Sequence, residues 1–153
     1  MLTSTSVEEV RADEFDALVA VWEASVRATH HFVTEDNIQY FKPIVRKELP
    51  SVELRCVRDS GRLPIGFIGV SKGKIEMLFV HPEHRGKGIG RTLVTYALRH
   101  LNATELDVNE QNPQAIGFYT RMGFVVVGRS ERDGLGKPFP LLHMKFAEKK
   151  ATV

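Results

Sequence analysis

Cysteine is almost absent. Cys56 is the only one in 153 residues, so no disulfide can form within the chain, and packing alone must hold the fold. Long apolar runs are also missing: none approaches the ~18 residues of a membrane span. Met1-Leu2-Thr3-Ser4-Thr5-Ser6 lacks the basic and apolar regions of a signal peptide, and a cytoplasmic protein with no membrane partner is expected. Excess charge is scarce. The net formal charge is +2, and the only basic run is Lys145 to Lys150, which gives no ground for a nucleic-acid partner. There is no internal repeat, low-complexity segment or linker. A single domain over 1–153 is expected, long enough to bury about two-thirds of its unfolded surface.

The most informative stretch runs from Glu76 to Leu98. An apolar run, Met77-Leu78-Phe79-Val80, breaks at His81-Pro82-Glu83-His84 and is followed by Arg85-Gly86-Lys87-Gly88-Ile89-Gly90. Ile89, Leu93, Val94, Ala97, Leu98 and Leu101 then recur with the period of a buried helix face. The pattern reads as strand, glycine-rich turn, helix. The first turn of a helix carries backbone N–H groups without intrahelical acceptors, and the macrodipole adds roughly half a positive charge there. Glycines at 86, 88 and 90 leave those amides accessible. Arg85, Lys87 and Arg91 add charge, so the ligand this turn suits is a polyphosphate.

Two phosphate-loop patterns do not fit. Gly86, Gly88 and Gly90 give G-x-G-x-G where a dinucleotide fingerprint needs G-x-G-x-x-G, and no Gly-Lys-Ser/Thr follows at P-loop spacing. Arg85, Gly88 and Gly90 do fill Arg-x-x-Gly-x-Gly. In that form the stretch resembles the acetyl-CoA pyrophosphate loop of the GNAT N-acetyltransferase family.

The rest of the chain supplies elements in a definite order. A short first strand is expected over Ser4 to Glu9. Phe15, Leu18, Val19, Trp22 and Val26 give a first helix ending before His30-His31, and Thr34 or Asp36 caps a second through about Glu48. Val52, Leu54 and Cys56 alternate on a strand, with Cys56 on its apolar phase as a core residue. Ile65 to Val70 and Lys74 to Val80 complete an antiparallel meander. After the central helix, Thr104 to Val108 is a fifth strand, expected parallel to the fourth because a helical crossover joins them. Asn112-Pro113 opens another helix, and Gly123 ends it. Phe124 to Val127 and Leu141 to Phe146 are the last strands, separated by the turn-rich Asp133 to Pro138.

A second motif lies in Asn109 to Phe124. An Asn opens a helix, the Phe118-Tyr119 pair follows, and Gly123-Phe124 closes the segment, as in the second GNAT motif. With the first motif it covers about Glu76 to Phe124, and the element order matches the family over nearly the whole chain. Trp22, Ser25, Thr29-His30, Asn109 to Asn112 and Leu135 to Leu142 further resemble a subgroup of small bacterial GNAT proteins. The resemblance implies a single-domain α/β (α+β) fold: a mixed, mostly antiparallel sheet of about six or seven strands, splayed between strands four and five and flanked by about four helices. It also implies acetyl-CoA as co-substrate, no metal, and a monomer or homodimer.

Acetyl transfer to a primary amine needs a held thioester, a deprotonated nucleophile, an oxyanion donor and an acid for the departing thiolate. The resemblance implies that Leu78, Phe79 and Val80 line the pantetheine arm and that a backbone N–H near Val80 faces the thioester carbonyl. It places Arg85, Gly86, Lys87, Gly88, Ile89, Gly90 and Arg91 at the pyrophosphate, and Asn112, Phe118 and Tyr119 toward the thiol end. Tyr119 is the expected general acid, a neutral phenol being a proton donor at pH 7. Two carboxylates are candidate bases: Glu76, which by strand alternation shares a face with Leu78 and Val80, and Asp107 on the fifth strand. His30 or no protein base remain alternatives. Trp22, Ser25, His30, Phe32 and Phe139 are the expected acceptor-binding residues, the acceptor being a protein lysine or a small amine. The alternative function is a CoA-binding sensor or interaction module without turnover. His81 and His84 lack the further ligands that zinc requires, and Pro82 keeps them out of one helix interior.

Overall fold

The computed structural model of the chain describes residues 6–147. The start of the strand expected over Ser4 to Glu9, and residues 148–150 of the basic run, lie outside them. Two compact units divide the chain between Ala103 and Thr104.

The N-terminal unit carries four antiparallel strands in the order β1-β2-β3-β4: β1 (Glu8–Glu9), β2 (Glu53–Arg58), β3 (Pro64–Ser71) and β4 (Lys74–Val80). Its helices are α1 (Phe15–Thr29), α2 (Glu35–Glu48) and α3 (Ile89–His100). The apolar stripe of α1 buries Leu18, Val19, Val21, Trp22 and Val26, which close with Ile38 and Leu49 over Leu54, Cys56 and Phe67. Ile68, Val70 and Ile75 are also buried, and α3 packs on β3 and β4 with Ile89, Leu93, Val94 and Ala97 inward. Thr34, rather than Asp36, caps α2: its hydroxyl accepts from the Asn37 N–H and its own N–H donates to Asn37 Oδ1, both at 3.1 Å. Beneath α1, Arg58 and Glu14 form an ion pair at 2.5 Å, with side chains only 3% and 6% exposed.

Two local features set the shape of β4 and its junction with α3. Gly66 pairs with Val80, and a Cβ on it would come within 2.7 Å of Ile89 Cγ2, so the missing side chain lets the first residue of α3 settle against the end of the meander. Along β4, Met77 faces Gly69 and Ile75 faces Val70, which leaves Glu76 as the extra residue of a bulge. The strict alternation expected to put Glu76 on one face with Leu78 and Val80 is therefore interrupted at Glu76 itself.

The C-terminal unit contains β5 (Glu105–Asn109), α4 (Pro113–Met122), β6 (Phe124–Ser130) and β7 (Leu141–Phe146), its strands antiparallel in the order β5-β7-β6. Leu106, Val108, Tyr119, Phe124 and Met144 are buried, and α4 packs on β5 and β6. Asn112 Oδ1 accepts from the Ala115 N–H at 3.2 Å, and Gly123, at φ 107°, turns the chain out of α4. Strand β6 runs beyond Val127, where the apolar pattern stops, to Ser130. Val126 faces Met144 and Gly128 faces His143, so a bulge at Val127 absorbs the irregularity and pairing resumes.

Candidate active site

The glycine turn closes one end of the N-terminal unit. His81 Nδ1 accepts from the Glu83 N–H and starts a short 3-10 turn over Pro82–His84, after which Arg85 is extended. Gly86 and Gly88 take φ of 76° and 77°, and Gly88 is the N-cap of α3. Left-handed backbone there strains any residue with a Cβ. A Cβ at either position would meet nothing within 4 Å, so the glycines serve conformation and open access rather than packing. Thr92 is the first residue of α3 whose N–H reaches back to Gly88, at 3.0 Å; the amides of Ile89, Gly90 and Arg91 precede it and point out of the helix start. Arg85, Lys87 and Arg91 are exposed, and among the described residues no carboxylate pairs with them. Lys87 Nζ lies 3.1 Å from His84 Nδ1. The turn meets the requirements of an anion site: open amides, a positive dipole end and unneutralised cations.

In the same unit, the α1–α2 junction carries several expected acceptor residues. Trp22 and Ser25 are 5% and 7% exposed and belong to the packed side of α1. His30 and Phe32 are half-buried, their rings 5.3 Å apart. The Thr29 hydroxyl donates to the Ser25 carbonyl at 2.7 Å, and His30 Nδ1 lies 2.7 Å from Thr29 Oγ1. With its single proton committed, Thr29 must accept there, which puts the proton of a neutral His30 on Nδ1. Burial lowers the His30 pKa from its ordinary value, and the Arg85 and His31 charges lower it further. Cys56 is fully buried and its thiol is pushed up to about 11 by burial, as a core cysteine requires. A groove of about 730 Å³ runs between α1 and α2 along Val19, Glu23, Arg27, Lys42 and Pro43; it includes none of the expected acceptor residues.

The C-terminal unit holds the remaining site residues. Tyr119 is 9% exposed and packs edge-on to Phe118 and Phe124, at ring separations of 5.2 and 5.8 Å. Burial drives its phenol pKa well above the ordinary value, so it stays protonated across the neutral range. Among the described residues no hydrogen bond engages its hydroxyl. Phe139 is half-buried in the loop before β7. That loop is organised by Asp133, whose carboxylate accepts from the Leu135 and Lys137 N–H groups at 2.9 and 2.8 Å.

Asp107 does not stand alone. Its Oδ1 lies 2.5 Å from His143 Nδ1, and His143 Nε2 lies 2.7 Å from Ser130 Oγ. The sequence reading missed His143 and Ser130. The signal available was a histidine on the polar phase of an otherwise apolar strand, Leu142-His143-Met144, which only the strand register connects to Asp107. Glu76, by contrast, is exposed on its bulge. Among the described residues no group of three or more His, Cys, Asp or Glu side chains could hold a metal ion, and no helix is long and apolar enough to cross a membrane.

Comparison with known proteins now defines the class. The model of the Acetyltransferase (GNAT) family matches residues 18–124, and the chain belongs to that family. It is 42% identical over 141 residues to the peptidyl-lysine N-acetyltransferase YjaB of Escherichia coli strain K12, covering 92% of this chain and 96% of that protein. The solution structure of apo YjaB from Escherichia coli superposes with a TM-score of 0.86 at 41% identity, over 94% of this chain and 98% of the other. A more distant likeness, TM-score 0.69 at 20% identity over 94% and 100% of the two chains, is to the PaiA N-acetyltransferase of Thermoplasma acidophilum solved with coenzyme A. The mixed α/β fold is thus the family's own, and the protein is an N-acetyltransferase.

Proposed function

We propose that this enzyme transfers acetyl from acetyl-CoA to a primary amine, a protein lysine or a small amine, by direct attack of the amine on the thioester in a ternary complex. The observation that carries the reading is the start of α3: two left-handed glycines, open amides and three exposed cations. That turn suits the CoA pyrophosphate, with Arg85, Gly86, Lys87, Gly88, Ile89, Gly90 and Arg91 as its binding residues. Leu78, Phe79 and Val80 meet the pantetheine arm, and Asn112, Phe118 and Tyr119 serve the thiol end. Lysine as acceptor is supported by the 42% identical relative, itself named a peptidyl-lysine N-acetyltransferase.

Tyr119 is the acid for the departing thiolate, a role its protonated phenol suits. The carboxylates Glu76 and Asp107 serve the removal of the amine proton, directly or through a neighbour. Trp22, Ser25, His30, Phe32 and Phe139 meet the acceptor. The family match spans the division at Ala103, which supports one acetyltransferase domain over 1–153. Bacterial relatives and the buried lone cysteine support a bacterial cytoplasmic setting, in which the enzyme works as a monomer or homodimer. The test is a panel of lysine peptides, polyamines and small amines scored by release of free CoA thiol. Thiol release with a lysine peptide, reduced in Tyr119→Phe, is expected; binding of CoA without release for any amine would refute the reading.

A further inference from the structure

Strands β5, β7 and β6 bring three polar side chains into one line. Asp107 and His143 are cross-strand partners, as are His143 and Gly128. At Gly128 a Cβ would lie 3.3 Å from His143 Cδ2, so the missing side chain leaves room for the ring, whose Nε2 meets Ser130 two residues further along β6, at 2.7 Å. An ionised carboxylate has no proton to give, so Nδ1 donates to Asp107, at 2.5 Å. In the neutral ring Nε2 then carries the lone pair, and Ser130 donates its O–H to it. The side chains of His143 and Asp107 are 36% and 24% exposed, within reach of a solute.

We propose that His143 is the general base of the acetyl transfer, with Asp107 as its positioning residue and the Ser130 hydroxyl passing on the proton of the acceptor. The proposal rests on the acetyltransfer reading above. The acceptor ammonium gives one proton to Ser130 Oγ as the Ser130 proton moves to His143 Nε2, and the carboxylate of Asp107 faces the positive ring. The free amine lone pair forms the C–N bond, the C–S bond breaks, and the thiolate takes the proton of Tyr119, which is replaced by the second proton of the attacking nitrogen. One proton remains on His143 for release to solvent, and nothing is oxidised or reduced. The other charged groups around the ring are Glu105 and Lys145, partners two pairs along the same strands, the ion pair of Arg129 with Glu110, and Glu131 just beyond Ser130. Strand β7 itself adds no other charge than Lys145.

A cross-strand network that only braces the sheet would not care which amine is acetylated. The test uses two acceptors in the full-length enzyme: a lysine peptide, whose ammonium must be deprotonated, and a weakly basic amine such as hydroxylamine or an aniline, already neutral at assay pH. His143→Gln is expected to lose on the order of 100-fold in kcat/KM with the peptide and less than about threefold with the weak base. It should also remove the acidic limb of the pH profile, while CoA affinity holds. Ser130→Ala, which deletes one hydroxyl from a half-exposed position, should show the same acceptor dependence at about tenfold. Equal losses with both acceptors, or an acidic limb that survives His143→Gln and Ser130→Ala, would overturn the assignment of His143 while leaving acetyl transfer intact. Wild-type enzyme that binds CoA but acetylates neither acceptor would overturn the acetyltransfer reading itself, and this inference with it.

Discussion

Two histidines, one in each unit, sit in opposite surroundings. His30 is half-buried at the end of α1, hydrogen-bonded to a neutral hydroxyl, with Arg85 and His31 adding to a depressed pKa. His143 lies on a half-exposed strand face against the carboxylate of Asp107. A general base has to accept a positive charge as the reaction proceeds, so its surroundings must tolerate the protonated ring. The surroundings of His30 oppose that charge, whereas those of His143 offer it a counter-ion. Residue type alone does not separate the two; the field around each ring does.

The largest expected effect tests that contrast directly. His143→Gln should lower kcat/KM with a lysine peptide on the order of 100-fold. His30→Gln should change it by no more than about fivefold, mainly through KM, as expected of a residue that meets the acceptor without taking its proton. Steady-state kinetics of both variants at several pH values decide the matter. Equal losses, or the larger loss in His30→Gln, would reverse the contrast.

Next in size is Tyr119→Phe. The phenol is held protonated by burial, so deleting its oxygen removes a proton donor with little change in packing against Phe118 and Phe124. A loss of about thirtyfold in kcat is expected, with CoA affinity within about twofold. A proportionate loss of CoA binding would make Tyr119 a packing residue of α4.

Much of this was legible beforehand, for identifiable reasons. Apolar periodicity placed α1, α3 and α4, and the caps at Thr34 and Asn112 marked helix starts because their side chains satisfy free amides. The turn from Arg85 to Gly90 was legible because left-handed backbone needs glycine at 86 and 88. What escaped depended on register. The bulge at Glu76 broke the alternation from which its face was inferred, and the bulge at Val127 hid the continuation of β6 to Ser130. His143 meets Asp107 36 positions away in sequence, and no local pattern records that meeting. The buried pair of Arg58 and Glu14, 44 positions apart, was invisible for the same reason.

Arg85 links the His30 region to the anion turn. Arg85→Gln should weaken CoA binding by roughly fivefold at low salt and by less as salt rises, since the exposed guanidinium acts through a screened field. The same change should raise the His30 pKa, because one of the charges that lowers it is removed. Burial remains the first cause, so the shift is partial. Calorimetric titration with CoA and NMR titration of the His30 ring would report the two effects separately. An unchanged His30 titration would mean that the charge of Arg85 does not reach the ring, and would leave burial and the His31 charge as what lowers its pKa.

The smallest expected effect is on stability. A histidine whose folded pKa is lowered stays neutral in the folded state, while the unfolded ring takes up a proton as the pH drops through roughly 6.5. The unfolded chain then binds more protons, so His30 draws stability down as the pH falls from that value, and the loss levels off below the folded pKa. In His30→Gln this part of the acid dependence disappears: its Tm relative to wild type should rise between pH 7 and pH 5, whatever the offset at pH 8. His143→Gln, which leaves His30 in place, should keep this part of the acid dependence. Thermal melts of the three proteins across that range would show it, and parallel melting curves for wild type and His30→Gln would remove burial of His30 from the account of why one histidine is suited to carry a proton and the other is not.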